Sequence, residues 1–390
     1  MASGRTRYVG VSNHPAWASV RAADLLASGS AAGPGMAAVE VEYSLLCRGI
    51  ERELLPASRV LGFGVLGYAL VEARMPVLRR VDVPVLAPGE EPLTILHLSD
   101  LHLTDRTEAR VKWVRALAGL HPDAVVNTGD NLSFASGMEP LRRALEPFLG
   151  LPGAFVMGDH DYRATAFKLP TRYLRADPRA GDDPQVEARV AELPWREVRD
   201  LQASGGWADL CNARGAIAVR GRRIDLVGVD DPHAERDAYP APPEESAPPE
   251  APAPSGPSAV VPSSEPSTPE GPREPAVRDR AGQPLRIGVT HAPYRRILER
   301  MSAEGVALAL AGHTHGGQLC VPGFGALVTN CDLDRGRASG LSQWPGRLGD
   351  PRAADHMYLH VSAGLGTSPY TPVRIACRPE ATLLTLVPSA

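Results

Sequence analysis

From residue 93 onward the chain alternates short apolar runs with amphipathic stretches. Residues 94–99 (T-I-L-H-L-S) are rich in β-formers and short, which predicts a buried strand. Residues 108–120 place Val111, Val114, Leu117 and Ala118 at helical spacing, and His121-Pro122 ends the pattern. Residues 124–128 (A-V-V-N-T) predict a second strand, 137–149 a second helix and 153–157 (G-A-F-V-M) a third strand. Residues 162–215 read as a helical excursion, and 217–219 with 224–229 as a hairpin pair. A strand at 285–290, a helix at 295–304, an apolar run at 306–311 and two final strands at 358–362 and 381–387 complete the pattern. Strands alternating with helices predict an α/β fold, whose ligands sit at the carboxyl ends of the strands.

Three stretches break this rhythm. Residues 1–58 have little periodicity and many Ala, Gly and Ser, which predicts a poorly ordered N-terminal extension. Residues 59–80 hold the apolar run V-L-G-F-G-V-L-G-Y-A-L-V, followed by Arg74, Arg79 and Arg80. That run is shorter than the ~20 residues a spanning helix needs. It also lies too deep for a signal peptide if Met1 is the start. A helix packed on the domain and a degenerate membrane anchor both stay open. Gly62, Gly64 and Gly67 match a dinucleotide fingerprint in spacing, yet no strand precedes them, so they read as small residues in an apolar helix. Residues 239–276 are dominated by Pro, Ala, Ser and Glu, a composition that cannot bury a core and predicts a disordered insertion.

Over 390 residues the formal charge is only −4 and no basic patch stands out, so no stable nucleic-acid partner is expected. Five scattered cysteines show no C-x-x-C spacing and give no disulfide framework or zinc knuckle. They fit a cytoplasmic setting.

The chemistry gathers where strands end. Asp100 and His102 (D-x-H) follow the first strand, Asp130 (G-D-N) the second, and Asp159 and His160 (G-D-H-D) the third. His291 (T-H-A-P) follows the strand at 285–290, and His313 and His315 (G-H-T-H) the run at 306–311. Mixed oxygen and nitrogen donors suit a divalent transition metal better than calcium. Other histidines have plainer readings. His97 and His360 lie within strands and read as packed or surface residues, while His233 in D-D-P-H fits a place near the substrate and a hydrogen-bonded turn equally well. Arg374 follows the glycine turn Gly364-Leu365-Gly366.

The order D-x-H, G-D, G-D-H-D, H, G-H-x-H resembles the calcineurin-like metallophosphoesterase family, over roughly residues 93–388 without the insertion. The apolar N-terminal segment looks like that family's bacterial, membrane-associated branch. The resemblance implies a four-layer α/β/β/α sandwich of two mixed β-sheets. It also implies two divalent ions (Mn, Fe or Zn), with Asp100, His102 and His315 on one and Asp159, His291 and His313 on the other. Asp130 would bridge them, a bridging hydroxide would attack phosphorus, and His160 would serve the leaving oxygen. The expected activity is hydrolysis of a phosphodiester or pyrophosphate bond in a small phosphate ester, lipid- or nucleotide-linked. Peripheral membrane contact would come through residues 59–80. The competing expectation is a scaffold of the same fold that binds metal and a protein partner without catalysis.

Two departures from the family pattern stand out. Asp159 replaces the usual Asn, which adds a negative charge. Ser133 stands where several members carry an Asp that orients the catalytic histidine.

Overall fold

A computed structural model describes residues 9–12, 36–40, 54–165, 190–242, 284–346 and 357–389; of 9–12, 36–40 and 54–62 only the backbone is described. The proline-rich stretch expected at 239–276 lies outside these residues except for its first positions, as does most of the expected N-terminal extension. Within that extension β1 (Val9–Ser12) pairs in parallel with β2 (Met36–Glu40).

Two six-stranded mixed sheets form the body. The first runs β3 (Val77–Leu86), β16 (Glu380–Pro388), β4 (Leu93–Leu98), β5 (Ala124–Asn127), β6 (Gly153–Phe155) and β7 (Ala208–Asp209). β4, β5, β6 and β7 are parallel neighbours, whereas β16 runs antiparallel to β4. The second runs β14 (Gly340–Trp344), β15 (Met357–Val361), β11 (Leu308–Ala311), β10 (Arg286–Val289), β9 (Arg222–Gly228) and β8 (Arg214–Val219). Its four central strands are parallel and its two edges antiparallel. A short hairpin outside both sheets pairs β12 (Cys320–Val321) with β13 (Gly325–Ala326).

Strand alternation assigns each side chain to a layer. In β4, Ile95 points between the sheets and shares a core with Val289, Leu308 and Leu310, while Leu96 and Leu98 point outward. That outward face is covered by α2 (Glu108–Ala116), α3 (Met138–Leu145) and α5 (Trp195–Ser204), through Val111, Val114, Leu141, Leu145, Val198 and Leu201. Between α3 and α5 a single turn, α4 (Asp159–Tyr162), follows the end of β6. α6 (Arg295–Ala303) covers the far face of the second sheet through Ile297, Leu298 and Met301. The result is the expected four-layer α/β/β/α sandwich.

α1 (Leu54–Glu72) carries the apolar N-terminal run. It docks by its end: Ala69 O accepts from Arg374 N, and the Glu72 carboxylate accepts from Ala376 N and Cys377 N. Phe63 (74 % exposed), Val65, Leu66, Tyr68 and Val71 face solvent. Among the described residues no helix is long and apolar enough to cross a membrane. Helix does not continue to residue 80. The chain turns at 73–76 into β3, a sheet strand that begins before the expected domain start at 93. Its Arg79, Arg80 and Asp82 hide the apolar alternation, and its Pro84 is tolerated because the strand lies at the sheet edge.

Candidate metal centre

The carboxyl ends of β4, β5 and β6 in one sheet meet those of β10 and β11 in the other. Backbone bonds tie these loops together: Asp100 N donates to Gly129 O (2.9 Å), His102 N to Asp130 O (2.9 Å) and Gly312 N to His291 O (2.9 Å). Across the sheets, His313 N lies 3.2 Å from both carboxylate oxygens of Asp100. The glycine turn after β15 closes the ring, with Gly366 N donating to Asp100 O at 2.6 Å.

Every predicted site residue lies in this ring. Asp100, His102 and His315 bring donor atoms within 4.8 Å of one another, and so do Asp159, His291 and His313. Asp130 falls between: Oδ2 is 3.5 Å from His102 Nε2 and 3.5 Å from His291 Nε2. His160 joins Asp130 and Asp159 in a further cluster, and its backbone N donates to Asp130 Oδ1 at 2.9 Å. Asp100, His102, Asp130, His313 and His315 all have positive φ, from 42° to 67°. Residues with side chains pay for that backbone region, so its recurrence here marks strain held by the surrounding contacts.

The imidazoles are oriented from behind. His291 Nδ1 lies 2.7 Å from Thr128 O and so carries a hydrogen, which orients the ring with Nε2 turned toward Asp130. That Nε2 is buried and has no hydrogen-bond partner. His313 is turned the other way: Nε2 is 3.1 Å from Asn330 O, which frees Nδ1. Ser133 Oγ lies 3.3 Å from His102 Nδ1, so Ser133 supports His102 rather than His160. His160 Nδ1 instead faces Arg163 O at 3.4 Å.

Electrostatics favours a cation at this point. Burial holds the His102 and His315 imidazoles well below their usual pKa and lowers His313 to about 3, so all three rings are neutral donors. Burial opposes ionisation of Asp130, yet His291, His160 and His102 hold its carboxyl well below the usual range. Burial likewise opposes a charged His291, but Asp130 raises it well above the ordinary value. A cluster of carboxylates that already draws positive charge onto His291, beside the neutral imidazoles of His102, His313 and His315, fits a divalent ion.

Several contributors carried no usable sequence signal. Asp161 is fully buried and its carboxylate accepts from Gly158 N, Asp130 N and Asn131 N (2.8–3.0 Å), pinning two strand-end loops together. Burial pushes it up to about 7 against those donors. Asp231, at the end of the β9 segment, is buried, raised by burial to about 8, and holds the backbone of His233, whose ring sits 4.4 Å from that of His313. Arg374, fully buried, donates to the carbonyls of Ala363, Gly364 and Gly366 and stands 3.3 Å from His315 Nδ1. Its place one loop after the glycine turn was the nearest thing to a clue.

The family profile described as calcineurin-like phosphoesterase matches residues 93–317. An uncharacterised Bacillus subtilis (strain 168) protein, YpbG, is 24% identical over 76% of this chain and 82% of its own. A Danio rerio transmembrane protein with a metallophosphoesterase domain is 28% identical over 82% of this chain, which spans 59% of that relative's length. The crystal structure of TT1561 from Thermus thermophilus aligns with 70% of this chain and 91% of its own, at 15% identity and a TM-score of 0.33.

Proposed function

Since the chain belongs to the calcineurin-like phosphoesterase family, we propose that it is a dinuclear metal-dependent hydrolase of phosphodiester or pyrophosphate bonds. The observation that carries this reading is the pair of donor triads, Asp100/His102/His315 and Asp159/His291/His313, with Asp130 facing a histidine of each. One triad would hold each ion, Asp130 would contact both, and Mn, Fe and Zn all suit the donors. When bound, the ions supply charge neutralisation for phosphoryl oxygens and a water of lowered pKa. His160 stands beside Asp159 with Nε2 3.8 Å from Oδ2. Its Nδ1 faces a carbonyl, which orients the ring so that Nε2 would serve the leaving oxygen. Burial of Asp100, His102, Asp130 and His291 strengthens each charge interaction there.

The substrate in this reading is a small phosphate ester, lipid- or nucleotide-linked. Peripheral membrane contact would come through the exposed side of α1, where Phe63, Val65, Leu66 and Tyr68 face solvent above Arg74. Vesicle flotation tests that contact: Phe63→Glu with Leu66→Glu should release the protein from anionic vesicles, and unchanged flotation would remove the membrane from the proposal.

Metal-stripped protein, resupplied with manganese, zinc or iron, should cleave bis-p-nitrophenyl phosphate and lose that cleavage in His160→Ala. Metal uptake without cleavage would instead favour a metal-binding scaffold, with Asp159 as the residue to reverse first.

A further inference from the structure

We propose that Cys320 and Cys377 form a redox-sensitive dithiol behind His315, closing to a disulfide when a hydroperoxide reaches it. The two cysteines come from segments that lie side by side. Leu319 bridges Ile375, and Cys320 N donates to Ile375 O at 2.8 Å. Their sulfurs then converge on one carbonyl: Cys320 Sγ is 3.2 Å and Cys377 Sγ 3.5 Å from Gly316 O. This approach depends on glycine at 316, where φ is +63° and a Cβ would meet Cys377 Sγ at 2.6 Å.

The surroundings favour oxidation of this pair. Cys320 is only partly buried and so is open to a small oxidant. The Cys320 sulfur attacks the peroxide oxygen and breaks the O–O bond, giving a sulfenic acid and one water. Cys377 sulfur then attacks the sulfenic sulfur, forms the S–S bond and releases the second water. Two thiols and one hydrogen peroxide thus give one disulfide and two waters.

The pair is coupled to the site through the backbone. Cys377 Sγ donates to His315 O at 3.2 Å, and that donor vanishes on oxidation. Arg374, which lies against both Cys377 and His315 Nδ1, feels the same change. Loss of such supporting contacts costs about tenfold in metal affinity. This second consequence rests on the metallohydrolase reading; the dithiol itself does not.

The full-length reduced protein is to be titrated with hydrogen peroxide while free thiols are counted after denaturation and peptides are mapped by mass spectrometry. Two thiols should disappear together, with the Cys320 and Cys377 peptides joined less two hydrogens and restored by dithiothreitol. Cys320→Ser, at the partly exposed hairpin, should melt like the wild type yet yield no joined peptide. Sulfinic acids without linkage, or linkage through Cys47, Cys211 or Cys331, would overturn the dithiol. Manganese titration of both redox forms tests the coupling: about tenfold weaker uptake when oxidised supports it, and equal uptake overturns it. Uptake by neither form would sink the metallohydrolase reading, and the thiol count would still decide the dithiol.

Discussion

The Nε2 atoms of His102 and His315 face each other across 3.3 Å, although one ring follows β4 and the other β11, in different sheets. Burial keeps both rings neutral, so two nitrogen dipoles converge beside the Asp100 carboxylate. A cation between them would relieve that crowding, and removing it should be visible in stability.

Manganese added to chelator-treated protein at about 100 times its Kd should stabilise the fold by about 2.7 kcal/mol. For a domain of this size that raises Tm by roughly 5–10 °C. Differential scanning fluorimetry with and without chelator measures it, and a Tm indifferent to manganese, zinc and iron would contradict a metal centre.

Gly366→Ala should damage the site without replacing a donor. A Cβ there would meet His102 Cβ at 2.5 Å and the Asp100 carbonyl oxygen at 2.7 Å, both on strained backbone. The expected cost is about 1–3 kcal/mol in urea unfolding, with metal affinity falling alongside. Wild-type metal binding in this variant would show that the loop can yield.

Asp161→Ala strips the acceptor from the backbone N–H groups of Gly158, Asp130 and Asn131. About 3 kcal/mol of stability should be lost. Equilibrium denaturation gives the value; a loss below about 1 kcal/mol would mean that water replaces the carboxylate.

Asp159→Asn restores the amide usual in the family at this position and removes one negative charge from the site. Divalent affinity should fall and KM for p-nitrophenyl phosphate should fall as well, since the anionic substrate meets less repulsion. Isothermal titration and steady-state kinetics separate the two effects, and a raised KM would speak against the charge argument.

His360 supplies an acid-sensitive term away from the donors. Its Nδ1 lies 3.0 Å from His97 Nδ1 in the core between the sheets, and burial lowers it to about 4. The folded ring stays neutral where the unfolded one, near 6.5, takes a proton. Its contribution is therefore complete above about pH 6.5 and is lost progressively down to about pH 4, on the order of 3 kcal/mol in all. His360→Leu should flatten that part of the stability-versus-pH curve relative to wild type, and parallel curves would refute the assignment.

The strands that bear the site were legible because buried parallel strands leave short apolar runs, and 94–99, 124–128 and 153–157 match the observed β4, β5 and β6 to within two residues at each end. β3 was not, because an edge strand half open to solvent carries Arg79, Arg80 and Asp82 among its apolar positions. Nor was the meeting of His97 with His360, since each was read within its own strand and only sheet stacking sets them face to face. At Ser133 the departure from the family pattern implied another partner for His160, which is Arg163 O, but its position relative to Asp130 said nothing of which imidazole its hydroxyl would reach.

By itself the sequence determined the donor types, their order and their places at strand ends, because strand period and metal chemistry are local properties. Tertiary structure alone decided that β4–β6 and β10–β11 point their carboxyl ends at one another. It alone put positive φ at Asp100, His102, Asp130, His313 and His315, and set Asp161 and Arg374 behind them. The reason is that a residue enters a strained backbone region only when contacts from distant segments hold it there, and no local pattern records contacts made across the chain.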